Sequence, residues 1–519
     1  MMTKEELQTL KQSVIQSKQS WNSVFYDTFA YTQPERNYVW RMKGGNPGNL
    51  KQVDLFTTAG KIGTAVFVAR IQNKLSPYEK PYFSLKVKES IQDDVETEMR
   101  EFGESLSDRA NERKNELKLD DILTESYYDL VAGTACIQRH NTAYGLSFHK
   151  IPLTDFALGT ENNQTVIREF KMPGAMIWTT FPELMGQVRI GSAYISKANR
   201  WEEICLCDIL FFNENLKQWE YYLTQGDEIV LTRIYKDSPY YIFHWDRASD
   251  MPFGTGVGQK ALPVLKRLNG YIKCNLQLIP FKFPMFISRN GNVLDRNVQM
   301  KPGGFIWTRD PSAVVPVTLS NGNTNFMIDI QKDEMEVKQL FLDYTLPADP
   351  REMTAAEVYA RTQGSDEIVY SNVARLTNVI KRIGWDIIRD IFERELSGVV
   401  NFTFEYLQQV FDLEVNNESS VDTNLVQKIQ NYILTVGQVD PQAVWQSISR
   451  SKTLVELQKG FNLPVSVRRT ETEIDDATAA DAQAVAQAQQ EQIQAQMAID
   501  DNKEQAIAER EAAKNGVAI

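Results

Sequence analysis

The chain of 519 residues is poor in cysteine and histidine, and this limits the sites it can build. Its thiols, none of which forms a CxxC pair, are Cys136, Cys205, Cys207 and Cys274. A structural zinc site needs four ligands at recognised spacings, and three scattered histidines cannot complete one. We therefore predict no metal site and expect all four cysteines to be reduced and buried as small apolar side chains.

The sequence also lacks long hydrophobic runs and an excess of positive charge. No stretch of about 18 apolar residues could span a bilayer, and the first residues have neither the basic nor the apolar part of a secretion signal. We expect synthesis in the cytoplasm and no stable membrane contact. The net charge of −12 argues against a protein that wraps DNA, because tight non-specific binding requires Lys and Arg at the phosphates. A negative net charge is still compatible with a protein past which DNA slides.

No catalytic constellation is recognisable. The glycines at 254–260 precede a predicted helix, but they match neither the Walker A motif nor the Rossmann fingerprint, and we interpret them as a flexible helix entry. The histidines lack the spacing of metalloenzyme motifs, and they are His140, His149 and His244. The acidic pairs fit helix N-termini better than metal sites, and they are Asp93-Asp94, Asp120-Asp121 and Asp475-Asp476. We expect no catalytic residue, no cofactor and no enzyme activity.

The first half of the chain predicts helices followed by a β layer. Thr3 and Glu6 form a capping-box pattern for a helix over 3–28. Asp54 can cap a second helix that ends near Pro77. Residues 92–131 have a helical pattern again, and 134–250 contain short β-rich runs. Because 519 residues exceed the size of one core, we expect two or more packed units in an α+β fold.

The second half predicts a helix, a β insertion, a second helix, a loop and a long helix. The first helix covers 257–279 and is ended by Pro280 and Pro284. The insertion at 284–327 has strand-like pieces at 285–288 and 305–308, and a helix over 329–344 follows. A loop then leads to a long helix that Thr354 caps, with Glu357 three residues on, and that reaches about Glu395. Its apolar stripe, which indicates core or subunit contact, is Trp385, Ile388 and Phe392.

The end of the chain is acidic and of low complexity. Positions 477–498 hold nine Ala and seven Gln, a helix-favouring composition. From 471 to 519 there are 11 acidic and 3 basic residues, a net charge of −8. We expect a solvated helical tail or a bundle of Ala-rich helices from neighbouring copies.

Three segments resemble the head-to-tail connector (portal) proteins of short-tailed double-stranded DNA phages. The first is Asp54–Gly60 with Leu75-Ser-Pro77 and Lys80–Leu85, which includes Phe83. The second is Phe253-Gly254-Thr-Gly256 with Asn269 after it. The third, Met353–Val358, opens the predicted long helix at Thr354 and Glu357. The family often has Trp where Tyr82 stands and Tyr where Phe253 stands.

The resemblance implies a ring-forming portal fold with a helical wing, a two-helix stem, a small β clip, a long helix and a C-terminal helical crown or barrel. The implied boundaries are a wing at 1–252, a first stem helix at 253–283, a clip at 284–327, a second stem helix at 328–345, a channel loop at 346–353, a long wing helix at 354–398, a wing end or crown at 399–470, and a crown or barrel tail at 471–519.

By the same resemblance the protein is a dodecameric ring at one vertex of the virion, through which double-stranded DNA is packaged and ejected. The implied partners are the major capsid protein, the scaffold protein, the terminase large subunit and the tail adaptor or tail tube proteins. In the channel loop we expect Asp349, Arg351 and Glu352 to face DNA, unless they are ordinary surface residues, and Pro347 and Pro350 to stiffen the loop. An acidic or neutral bore would repel the polyanion toward the axis.

Two other functions remain open at this point. One is a nucleotide- or metal-dependent packaging enzyme that uses the glycines at 254–260 or an acidic cluster. The other is a scaffold protein inside the capsid that forms no ring, which the Ala/Gln-rich tail suggests.

Overall fold

The computed structural model divides the chain into two compact units, residues 1–416 and 417–519. The residues that the structure describes are 2–36, 55–78, 80–88, 93–142, 145–159, 165–184, 201–278, 285–288, 314–317, 324–342, 355–396, 402–415, 429–435, 448–460, 469, 473–474 and 477–480.

Two helices open the first unit. Helix α1 spans Lys4–Thr32, and both hydrogen bonds of the predicted capping box form between Thr3 and Glu6. Helix α2 spans Ala59–Leu75, and the residue at its N-cap position is Thr58. The prediction that Asp54 caps this helix is therefore wrong, because the helix begins five residues after it; Asp54 itself lies outside the described residues.

The predicted helical stretch at 92–131 is two helices. Helix α3 spans Asp93–Glu116 and helix α4 spans Leu119–Leu130. Lys118 separates them with a left-handed backbone, φ 51°. Asp93-Asp94 and Asp120-Asp121 lie in the first turns of these helices, as predicted for negative charge near a helix dipole.

The β layer contains two antiparallel sheets. The first has the strand order β3-β2-β9 and the second has the order β4-β5-β6-β7-β8. The strands are β2 (Thr134–Thr142), β3 (Gly145–Ile151), β4 (Phe156–Leu158), β5 (Thr165–Pro173), β6 (Glu203–Asn213), β7 (Gln218–Gln225), β8 (Glu228–Tyr235) and β9 (Tyr240–His244). Between β5 and β6 come helix α5 (Gly174–Thr180) and the short 3-10 helix Pro182–Leu184. The predicted β layer is confirmed.

A helical hairpin follows. Helix α6 spans Val257–Leu278, as predicted, and helix α7 spans Thr324–Leu340, so it starts five residues before the expected position. Between them, β10 (Met285–Ser288) pairs antiparallel with β11 (Val314–Val317). The first strand was predicted; the strand expected at 305–308 lies outside the described residues, as do Pro280 and Pro284.

The long helix α8 spans Ala355–Ile391 and passes into a π-helical turn, Phe392–Leu396. Helix α9 (Phe404–Val410) and strand β12 (Phe411–Val415) come next, and β12 pairs antiparallel with β1 (Phe83–Val87). Glu357 lies in the first turn of α8, while Thr354 lies outside the described residues. In the predicted apolar stripe, Ile388 is fully buried and Trp385 and Phe392 pack against the same core, which confirms the core interpretation.

The core has three parts, and the three-stranded sheet lies between two of them. One face of this sheet packs, through Ile137 and Phe148, against the helices α2, α4, α6 and α8. Its other face packs, through Cys136 and Ile151, against the five-stranded sheet. Leu7 and Val14 of α1 cover the outer face of the five-stranded sheet.

The cysteine prediction is half wrong. Cys136 and Cys207 are buried, and burial raises the pKa of the Cys207 thiol to about 11, but Cys205 and Cys274 are exposed. Cys205 and Cys207 share a face of β6, as their spacing requires, yet Cys205 lies near the strand end where the covering core stops.

Most of the described residues of the second unit are helical. Helix α10 spans Arg450–Gly460, and residues 429–435 and 477–480 are also helical. Most of the Ala/Gln-rich stretch at 477–498 and the pair Asp475-Asp476 lie outside the described residues.

Candidate functional site: the glycine joint and the helical hairpin

The glycine motif at 254–258 is a rigid joint between the β layer and the helical hairpin. The Gly254 amide donates to Thr134 Oγ1 at 2.8 Å, and the Gly258 amide donates to the Val131 carbonyl at 2.9 Å. The Thr255 amide donates to the Asp246 carbonyl at 2.6 Å. A phosphate loop needs such amides free to bind the anion, and here three of them are already used within the protein.

The joint is made of backbone packed directly on backbone, and this explains its glycines. Gly133 has φ +105°, and a Cβ built there would lie 2.0 Å from the Gly254 carbonyl oxygen. A Cβ on Gly256 would lie 2.1 Å from the Val131 carbonyl oxygen. No side chain fits at either position, so the expectation of a flexible helix entry is wrong: close approach, and not freedom of motion, requires the glycines.

Phe253 fixes the joint to the rest of the wing. Its ring lies 5.3 Å from Phe25 in an edge-to-face arrangement, 5.8 Å from Trp21 and 6.2 Å from Phe156. Further along α6, Asn269 Oδ1 accepts a hydrogen bond from the Phe56 amide at 2.7 Å and ties the chain before α2 to the hairpin. Both residues of the resemblance therefore hold elements in place.

The first segment of the resemblance is anchored by a buried asparagine. Asn111 on α3 accepts from the amides of Tyr82 and Phe83 at 3.1 and 3.2 Å. It also donates to the carbonyls of Phe83 and Ser107 at 2.9 and 2.8 Å. Its four hydrogen bonds satisfy both the side chain and the start of β1, so Asn111 sets where β1 lies on α3.

A buried charge pair completes this anchor, and Pro77 is buried nearby in the chain. Lys114, 1% exposed, donates to Asp120 Oδ2 at 3.2 Å and to the Lys80 carbonyl at 2.8 Å. The Tyr82 hydroxyl donates to the other Asp120 oxygen at 3.0 Å. Burial lowers the pKa of Lys114, and the Asp120 carboxylate opposes that shift. Sequence reasoning placed Asp120 correctly but missed Asn111 and Lys114, because the stretch 107–118 is polar at almost every position and nothing in it singles out these two residues.

Ion pairs fix the C-terminal half of α8. Arg109 of α3 makes a bidentate contact with Glu395 at 2.9 and 2.6 Å, and Arg113 contacts Asp390 at 3.0 Å. Arg139 of β2 lies 2.5 Å from Asp386. The carboxylates hold the pKa of Arg109 above its ordinary value. The long helix is thus fixed to both α3 and the three-stranded sheet.

The two hairpin helices carry opposite charge. Helix α6 has four cations and no anion, whereas α7 has four anions and two cations. Arg267 of α6 contacts the buried Asp333 of α7 at 2.9 and 2.5 Å and Glu336 at 3.1 Å. Because these residues lie near the middle of each helix, the contact aligns α6 and α7 along their lengths.

The remaining predicted residues are not brought into one site. The channel-loop residues, which lie outside the described residues, are Pro347, Asp349, Pro350, Arg351 and Glu352. His140 and His149 lie side by side, while His244 bonds through Nδ1 to Thr134 Oγ1 at 3.2 Å. In the described ranges, no cluster of three or more His, Cys, Asp or Glu could hold a metal ion. Nor does any described helix have the length and hydropathy to cross a membrane.

Comparison with known proteins identifies the family. The sequence pattern of the family described as "bacteriophage head to tail connecting protein" matches residues 4–368, well over half of the chain. The chain belongs to this family. The connector resemblance is confirmed at that level, which locates the protein at the head–tail junction of a phage particle and in a structural family. The matched range includes the glycine joint, both sheets and the whole helical hairpin.

The chain was also compared with solved structures and with curated proteins. A solved chain described as "neck of empty GTA particle computed with C6 symmetry" is similar with 10% sequence identity, covering 82% of this chain and 95% of that one, at a TM-score of 0.39. Among curated proteins, no match is found.

Proposed function

We propose that this head-to-tail connector is the portal protein of a short-tailed phage. Twelve copies form a ring at one capsid vertex, and the DNA genome enters and later leaves through its channel. The observation that carries the proposal is the family match over 4–368, which includes, in order, α6, the β10–β11 pair, α7 and the first part of α8.

The hairpin geometry supports its role as stem and clip. Helices α6 and α7 pack along each other through Arg267 and Asp333, and the chain between them pairs β10 with β11. A paired helical hairpin with a small β element at its turn is suited to projecting from a wing. The β element at 284–327 would then meet the terminase during packaging and the tail adaptor afterwards.

The wing contacts support a rigid attachment of that stem. The glycine joint holds α6 to Val131 and Thr134 by backbone contact, and Asn269 holds it to the chain before α2. During packaging, force on the stem must be transmitted to the wing without bending of the stem at its base. Backbone packed on backbone provides this stiffness. The wing would bind the capsid and scaffold proteins.

The negative net charge supports a channel through which DNA slides and argues against one that holds the DNA tightly. The net charge of −12 is repeated in every copy of a ring, so the summed field repels the polyanion from the wall. In the loop at 346–353, Arg351 would touch phosphates briefly while Asp349 and Glu352 limit the hold.

The DNA-channel part of the proposal is tested by seating purified rings in solid-state nanopores and recording passage of a short duplex. The wild type should pass duplex DNA. D349K/E352K should lengthen the dwell time several-fold at low salt, with the difference shrinking as salt rises. The control D227K/E228K makes the same change of charge at the exposed turn between β7 and β8, and it should leave the dwell time unchanged.

Two different results would contradict two different parts of the proposal, the channel itself and the position of the loop. Rings that block duplex DNA at every salt concentration would contradict the conduit itself. Rings that pass DNA with equal dwell times for D349K/E352K and wild type would leave the conduit standing and remove the loop from the channel wall.

A further inference from the structure

The two sheets of the β layer meet at a polar seam that the connector role does not use. Gln138 and His140 of β2 and His149 of β3 come from the three-stranded sheet. Arg168 of β5, Asp208 of β6 and Arg233 of β8 come from the five-stranded sheet. We call these six residues the histidine seam.

Gln138 and Asp208 form one half of the seam. Asp208 is fully buried and accepts from the hydroxyls of Tyr221 at 2.6 Å and Tyr240 at 2.8 Å. Gln138 Nε2 donates to the same carboxylate at 3.3 Å, and the Arg168 guanidinium donates to Gln138 Oε1. The bonds of Gln138 to Asp208 and Arg168 join the two sheets.

The two histidines form the other half. Gln138 lies directly opposite His149 in the β2–β3 pairing, which brings the His140 and His149 rings to the same face with centroids 5.3 Å apart. His140 is 9% exposed, and its ring also meets the edge of Phe181 at 6.4 Å. A second proton on His140 would therefore enter an apolar, water-poor environment.

The charges around His140 are balanced only when both histidines are neutral. Arg168 and Arg233 face Asp208 and Glu183, and the Arg233 guanidinium pairs with Glu183. The charged and titratable groups that act on the His140 ring are His149, Arg168 and Arg233, and the two arginines are in turn opposed by Asp208 and Glu183. Two added protons would place four cations against at most two anions, and like charges at this distance repel strongly at low dielectric.

We infer that the histidine seam is an acid-labile joint: protonation of His140 and His149 separates the two sheets of the β layer while the helical core stays folded. The other face of the three-stranded sheet packs on helices through apolar residues such as Ile137 and Phe148, and none of the six seam residues lies there. Acid should therefore open one side of this sheet and not the other. The inference does not depend on ring formation.

The pKa shifts of the two histidines have the direction that an acid-labile seam requires. Burial, then His149, Arg168 and Arg233, lower the pKa of His140 to about 3, and burial and Arg168 lower the pKa of His149. A histidine whose pKa falls on folding stabilises the closed seam above about pH 6.5, and this contribution is lost as the pH falls from there toward 3. At pH 5, His140 alone shifts the balance toward the open seam about thirtyfold. Burial raises the pKa of Asp208, so proton uptake by this carboxylate favours the closed seam and opposes part of the effect of the two histidines.

The test is hydrogen exchange of the full chain read by mass spectrometry at pH 7.5 and pH 5, corrected for intrinsic exchange. In the wild type, the acceleration at pH 5 should be at least about tenfold larger for peptides from 204–225 than for those from 119–130 and 376–391. H140Q/H149Q should remove most of this acceleration. H244Q, which changes the remaining histidine of the chain, should keep it.

The single variant H149Q tests the inference even if replacement of the buried His140 prevents folding. His149 is exposed as a residue, so H149Q should fold, and it should move the onset of fast exchange to lower pH. Wild-type protein without acceleration at pH 5, uniform acceleration of sheet and helices, or full acceleration in folded H140Q/H149Q or H149Q would each overturn the inference.

Discussion

Replacing Gly256 by alanine is the sharpest perturbation of the glycine joint. The new Cβ would lie 2.1 Å from the Val131 carbonyl oxygen and 2.5 Å from the Gly133 amide nitrogen. These are backbone atoms, so no side-chain rotation relieves the clash. The turn at 131–134 and the start of α6 must separate instead.

The cost follows from the bonds that this separation breaks. They are the Gly258 amide to the Val131 carbonyl at 2.9 Å, the Gly254 amide to Thr134 at 2.8 Å, and Gln259 Nε2 to the Ala132 carbonyl at 2.6 Å. At about 1 kcal/mol net for each hydrogen bond, G256A should lower the free energy of unfolding by about 3 kcal/mol. Urea titration followed by far-UV circular dichroism measures this.

Gly270 offers a matched control on the same helix. It is exposed in α6, and a Cβ there would meet nothing within 4 Å. G270A should therefore stabilise the protein by up to about 1 kcal/mol through helix propensity. If G256A and G270A shifted the unfolding free energy alike, the joint would not be the close backbone contact described above.

Two further predictions concern buried polar groups. N111A removes four hydrogen bonds, three of which join α3 to the start of β1, and should cost about 2–4 kcal/mol of unfolding free energy, measured by the same titration. N115A, on the next turn of α3, is the comparison, and an equal loss in both variants would refute the anchor. For His244, burial and then Arg247 lower the pKa to about 3. This histidine stabilises the fold above about pH 6.5 and loses that effect as the pH falls, by about 2 kcal/mol at pH 5. H244N cannot titrate, so between pH 7.5 and pH 5 it should lose about 2 kcal/mol less than the wild type, and an identical loss would contradict the linkage.

Local patterns predicted the elements well because local chemistry determines them. The capping box at Thr3 and the helical spacing over 257–279 each depend on contacts within a few residues. The long helix α8 was found for the same reason. The error at Asp54 is of another kind: several polar residues near 54–58 could cap a helix, and only packing decides which one does.

The contacts that hold the elements together could not be predicted from the sequence. Asn111 and Phe83 are 28 residues apart and Arg168 contacts Gln138 across two sheets, so neither pairing leaves a periodic signal. The glycines at 254 and 256 were recognised, but their meaning depends on Gly133, more than 100 residues earlier. The exposure of Cys205 and Cys274 likewise depends on where the covering core ends. The channel loop, the domain roles and the ring remain predictions.

Electron microscopy of the purified full chain, combined with native mass spectrometry, tests the central claim most directly. The account predicts closed rings with a central channel wide enough for a B-form duplex, and a mass of about 713 kDa for twelve copies of a 59.4 kDa chain. Monomers or dimers at every salt concentration would contradict it.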